Sequence, residues 1–159
     1  MKKYELTAEF IEKWGKKLFR IKALISFGSV EAGELGGYVE KEDNLAQNGN
    51  AWVCGDARVC GNARVCGNAE VYGNADYLLI GRIGSRFSFT TFFKNKDKGI
   101  TVSCGCFLGT IAEFRAKVTD THGNNKHAKI YNLAADMAEL QILGEEHFDK
   151  LNTNKSEPF

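Results

Sequence analysis

Valine recurs every six residues through the middle of the chain, at Val53, Val59, Val65 and Val71. Alanine keeps the same period at Ala51, Ala57, Ala63, Ala69 and Ala75, and glycine at Gly49, Gly55, Gly61, Gly67 and Gly73. A strand alternates every two residues and a helix repeats every 3.6. A period of six fits neither and suits a very short strand followed by a tight turn. The valine then points inward, the small alanine four residues on fits the corner, and Gly-Asn or Gly-Asp supplies backbone shapes that bulky residues resist. A helix would carry a glycine at every sixth position, each costing about 1 kcal/mol relative to alanine. Three such faces make a triangular coil, and stacked coils bury a narrow aliphatic column. The frame extends weakly back through Leu45 and Val39 and forward to Ile83, which predicts coils over residues 36–84.

The flanks follow other periods. Phe10 to Trp14 and Leu18 to Phe27 read as two strands around Gly15-Lys16-Lys17, in preference to a short helix. After the hexads, SRFSFTTFFKN and GITVSCGCF are alternating aromatic and β-branched runs joined by Asn95 to Gly99, a hairpin by its turn chemistry. Thr110 followed by Glu113 is a capping box, and Ile111, Phe114 and Val118 then share one helical face. His122-Gly123 ends that helix. Asn124 or Asn125 opens a second, with Ile130, Leu133, Met137 and Leu140 as its predicted buried stripe and Gly144 as its stop.

In the hexads AWVCGD, ARVCGN, ARVCGN and AEVYGN an aliphatic residue is followed four places later by a small one, and this pattern resembles the hexapeptide-repeat family of left-handed β-helices. The expected architecture is mainly β with α. A short left-handed parallel β-helix occupies 36–84, with an N-terminal β cap at 1–35, a C-terminal β-hairpin plus two helices at 85–145, and a polar tail at 146–159. On the order of two to three coils leave open strand edges, which the flanks or trimerisation would cover. The layout of LFRIKALISFGSVEAGELGGYVEKEDNL, hexads, TTFF and VSCGCFLGTIAEFRAKVTDTHG also resembles a group of phage and prophage hexapeptide-repeat proteins. That resemblance implies expression inside a bacterial host and, from the fold family, a homotrimer. It supplies no catalytic residues.

A net charge of +1 implies no global pull toward nucleic acid or acidic membrane. The opening MKKYELTAEFIEKW lacks the apolar core of a signal peptide, and no stretch has the length and apolarity of a membrane span. A cytoplasmic location is the expectation. Five cysteines, an odd number, argue against a closed disulfide framework. The single proline is Pro158, so turns fall to Gly, Asn and Asp.

Cys54, Cys60 and Cys66 each follow an inward valine and should point outward on different faces, as tolerated small residues. Cys104 and Cys106 share one strand face, but a zinc site needs four ligands and this pair supplies two; a pair packed under the helix is expected, with no metal and no cofactor. His122, His127 and His147 all follow the coils, where an acyltransferase of this fold would want a histidine in a cleft between coils. His122 at a helix C-terminus is favoured there by the dipole.

The remaining candidate is an anion site. Arg86 offers a bidentate clamp, and Thr90 and Thr91 follow in the hairpin. Phe107 leads into the helix N-terminus at Thr110, where free N–H groups and the dipole favour phosphate or carboxylate. Phe87, Phe89, Phe92 and Phe107 offer faces for a base. Arg86, Thr90, Thr91, Phe107, Thr110 and His122 are therefore the candidate ligand-binding residues, and no catalytic set converges. The reading is a non-enzymatic, phage-derived binding protein that neutralises a host factor, either a defence protein or a nucleotide-type immune signal. A hexapeptide acyltransferase and a structural assembly protein are the alternatives.

Overall fold

Two adjacent phenylalanines divide this fold. In a computed structural model that describes residues 1–73 and 76–155, Phe92 and Phe93 are both fully buried, on opposite faces of one strand. The strand is β8 (Ser88–Lys94), in an antiparallel sheet of order β10-β9-β8-β7 with β7 (Tyr77–Ile83), β9 (Ile100–Cys104) and β10 (Phe107–Thr110). Successive side chains of a strand point to opposite faces. Phe93, Tyr77 and Leu79 therefore join the hexad core around Val53, Val59, Val65 and Val71, while Phe92, Ile100 and Val102 join a second core beneath the helices.

The first sheet has the order β1-β2-β3-β5. Strands β1 (Tyr4–Lys13) and β2 (Lys16–Ala23) form an antiparallel hairpin, and β3 (Leu35–Val39) lies antiparallel to β2. The hairpin turns at Trp14-Gly15, both with positive φ (52° and 75°), one residue earlier than the expected Gly15-Lys16-Lys17. Two central residues of positive φ match the right-handed twist of the flanking strands. Its N-terminal end is fastened to the hexads. The Tyr4 hydroxyl donates to the Leu45 carbonyl at 2.6 Å, and Lys3 Nζ donates to the Ala51 carbonyl at 2.8 Å beneath the Phe27 ring.

The expectation of a left-handed parallel β-helix is corrected by this pairing. Both four-stranded sheets are dominated by antiparallel ladders. Within the hexads, β4 (Trp52–Val53), β5 (Arg58–Val59) and β6 (Glu70–Val71) are two residues long. Their parallel pairing is limited to Tyr38 and Val39 with Arg58 and Val59, and Trp52 and Val53 with Glu70 and Val71, plus a Leu45–Val65 bridge. The hexad itself gives the reason: two extended residues between glycine turns offer few ladder hydrogen bonds, whereas β1, β2, β3 and β9 extend over five to ten residues each. The hexad valines and the alanines at 51, 57, 63 and 69 are all buried; Ala75 lies outside the described residues. Gly37 marks a close approach of β3 to the hexads, since a Cβ there would sit 2.5 Å from the Ala57 carbonyl oxygen.

Further boundaries shift. Residues 77–83, expected as coil, form β7 because their apolar side chains find β8 as an antiparallel partner. The hairpin of β8 and β9 is thus the centre of a four-stranded sheet. Helix α1 (Ile111–His122) starts at Thr110, whose Oγ1 accepts from the Glu113 amide while Glu113 accepts from the Thr110 amide. Helix α2 (Lys126–Ala138) is capped by Asn125 and runs into a π-helical turn at Glu139–Leu143. Residues 146–155, read as tail, belong to a third helix, α3 (Glu145–Lys155); residues 156–159 of that tail lie outside the described residues.

The buried side of α2 also differs. Leu133 and Met137 are 66% and 54% exposed, and Leu140 is exposed too, while Ala128, Tyr131, Ala134, Ala135 and Ala138 face the core. Alanines carry little apolar area but admit a close helix–sheet approach, which a leucine-based stripe cannot reveal. Arg115 on α1 ties the helices together: it donates to Asp136 at 2.7 Å, to Glu139 at 2.8 Å and to Asn132 Oδ1 at 3.1 Å.

Two outcomes follow from these contacts. Arg115→Ala strands the buried Glu139 carboxylate and should destabilise the fold by about 3 kcal/mol, with Arg115→Met/Glu139→Leu recovering most of it; urea denaturation measures both, and an equal loss in the double variant would refute the charge argument. Burial lowers Lys3 from 10.5 to about 8. Between those values the unfolded chain holds a proton that the folded chain has released, so this residue's contribution to stability rises with pH across that window. The stability difference between the parent and Lys3→Met should therefore shift toward the parent from pH 8 to pH 10.5, and a difference that stays flat would sink the assignment.

Candidate functional site

The β7–β8 turn, the β9–β10 turn and one face of α1 close on a cleft of about 290 Å³. Its first wall is Gly84 to Phe87, where the Phe87 amide donates to the Gly84 carbonyl at 3.2 Å and the turn presents Ser85 and Arg86. Its second wall is Cys104-Gly105-Cys106-Phe107, a two-residue turn closed by the Cys104–Phe107 pair. Its third wall is α1, which brings Phe114, Lys117, Val118, Thr121 and His122 to one side, as a helical period of three to four residues requires. Tyr131 of α2 completes the lining.

Tyr131 organises the floor. Its ring meets Phe114 edge-on at 5.6 Å and stacks with His122 at 5.8 Å and 24°. Burial, then the neighbouring Cys104 thiol, push its hydroxyl up to about 12, against the opposing pull of Arg86. The phenol stays protonated and neutral. Gly84 is required beneath it: a Cβ at residue 84 would lie 1.9 Å from the Tyr131 oxygen, and Gly84 adopts φ +82°. Cys104 also accepts from Thr90 Oγ1 at 3.2 Å, so this thiol is held from two sides.

The charges are one-sided. Arg86, Lys117 and His122 line the cleft, and no carboxylate is among its lining residues. Among the described residues, neither Arg86 nor Lys117 forms an ion pair. Phe107 and Tyr131 add aromatic surface beside these cations. Such a cleft can hold a negative group by charge and a flat ring by stacking.

Of the six residues singled out from sequence, three meet here: Arg86, Phe107 and His122. Thr90 lies under Cys104 on the helix-facing side of β8, out of the cleft lining. Thr91 points to the hexad side, where its hydroxyl accepts from the Arg64 amide at 3.3 Å. Neighbours on a strand cannot both serve one site on one face. Thr110 is consumed by its capping box, so the α1 N-terminus is satisfied by its own side chains. Phe92 is core, Phe87 is exposed, and Phe89 lies on the other side of the sheet end.

Sequence reasoning missed Lys117, Thr121 and Tyr131. Lys117 and Thr121 were within reach of it, because they flank the Phe114–Val118 face at i+3 and i+7; Tyr131 was hidden behind the leucine stripe chosen for α2. His127 touches His122 at 5.5 Å, and its Nδ1 is buried with no hydrogen-bond partner.

The cysteines divide by setting. Cys54, Cys60 and Cys66 are half-buried in the hexads, and burial is the first cause raising each thiol, Cys54 to about 11. They remain thiols near neutrality. Cys104 is half-buried and Cys106 exposed at the cleft. Among the described residues no group of three His, Cys, Asp or Glu side chains converges on a point where a metal could sit, and no helix is long and apolar enough to cross a membrane. The chain matches no protein-family model and no curated protein.

Proposed function

We propose that this protein is a binding protein that sequesters a small anionic, nucleotide-type ligand in the cleft between α1 and the two sheet turns. One observation carries the reading: Arg86, Lys117 and His122 share a cleft with Phe107 and Tyr131, and no carboxylate lines it. Phosphate is the group that such donors hold best, Arg86 by a planar fork and Lys117 as a point charge. Phe107, half-buried against Phe114, offers ring surface for a base, while Tyr131, neutral and anchored, contributes a ring and a hydroxyl.

The chemistry of the lining favours holding over turnover. His122 is stacked on Tyr131 and borders His127, with no carboxylate in the lining to orient either ring as a base. In the phage and bacterial setting implied by the sequence resemblance, capture of a host nucleotide signal in the cytoplasm is the role such a cleft would serve. Homotrimerisation belongs to the same proposal.

The test is calorimetric titration with AMP, GMP, CMP, UMP and inorganic phosphate, followed by mass analysis of the recovered ligand. At least one nucleotide should bind and return unaltered. Arg86→Ala and Lys117→Ala should each weaken it about tenfold, the worth of one hydrogen bond to a charged group. Absence of binding at millimolar concentration, or a chemically changed ligand, would overturn the proposal.

A further inference from the structure

The cleft does not end at the sheet. A second depression, of about 260 Å³, lies at the same end of β8 and β9 and is lined by Asn62, Arg64, Phe89, Thr91 and Ser103. Ser88 and Gly105 line both depressions. They belong to the start of β8 and the β9–β10 turn, so the two spaces meet around the end of the sheet. Space is open around Gly105 at this shared edge: a Cβ there would meet nothing within 4 Å. Each side holds the same pair of elements, an arginine and a phenylalanine, Arg86 with Phe107 on the helix side and Arg64 with Phe89 on the hexad side. The second lining also contains no carboxylate, and Arg64 forms no ion pair among the described residues.

Beyond Arg64 the character reverses. A third depression shares Arg64 and Ser103 with the second and is lined by Glu42 and Asp43. A phosphate arriving there would face two carboxyl side chains, and like charges in proximity repel. The anion-favouring track therefore has two stations and a stop.

We infer that the two depressions act as one site for a two-headed nucleotide, a dinucleotide with one phosphate-bearing unit at Arg86 and the other at Arg64. The inference rests on the anion-binding reading of the first cleft and specifies the ligand that it takes. Thr91 and Ser103 supply hydroxyl partners on the hexad side, and Asn62 an amide, for ribose or base edges.

The probes are pApA, pGpG, pCpC and pUpU, titrated against the four matching 5′ mononucleotides and the matching trinucleotides. The best dinucleotide should bind about tenfold or more tighter than its mononucleotide, from the added charged contact, and the trinucleotide should gain nothing more. Arg64→Ala should remove that gain, whereas Arg86→Ala should weaken mononucleotide and dinucleotide alike. If mononucleotides bind and dinucleotides bind no tighter, or if Arg64→Ala leaves the gain intact, the two-station site is wrong and the single cleft stands. Affinity that keeps rising with a third nucleotide would also overturn it. If no nucleotide of any length binds, the anion-binding reading falls with it.

Discussion

The pleat of β8 is the constraint on which the rest depends. One strand must send Phe92 into the helical core and Phe93 into the hexad core, and it does so with neighbouring residues. Both faces of the sheet are thereby covered, the helices on one and the turn-rich hexads on the other. The Ala69–Asn95 bridge and the Lys96 amide donating to the Asn68 carbonyl fix where the sheet meets the hexads. With both faces occupied, the end of the sheet leaves space where the turns project past the cores. The cleft sits there as a consequence of layering.

The hexads are best understood as a filler of regular thickness. Their valines pack a narrow column, and their glycines turn the backbone between very short strands. Asn44 shows the cost of such a design and how it is met. It is fully buried, donates to the Gly61 and Ala63 carbonyls, and accepts from the Lys41 amide. A buried amide side chain without those partners would cost about 1–3 kcal/mol.

Local signals were legible in the sequence because they are settled by adjacent residues. The Thr110–Glu113 box, the Asn125 cap and the Asn95–Gly99 turn all depend on contacts within a few positions. The hexad period correctly marked which valines and alanines are buried and misled about the sheets, since pairing partners are set by distant strands. Residues 77–83 kept the hexad frame in sequence and left it in space. In the site, Arg86, Phe107 and His122 were readable as chemistry, but their convergence was not. Strand alternation separates Thr90 from Thr91, and α2 turned an alanine face inward, bringing Tyr131 with it. A rule that ranks burial by side-chain hydrophobicity prefers Leu133 and Met137 and therefore puts the wrong side of α2 against the sheet.

The anchoring of residues 3 and 4 onto residues 42–51 has a temporal meaning. The β1–β2 hairpin can close early during synthesis, because its partners are adjacent in sequence. Its first residues have nowhere to dock until the first hexads have been made. During that interval the phenol of Tyr4 and the amine of Lys3 remain hydrated, and the hairpin's inner side is bare. Residues 3 and 4 are thus synthesised well before the residues that protect them, so a nascent chain halted before residue 42 would present an apolar hairpin face to chaperones or to other nascent chains.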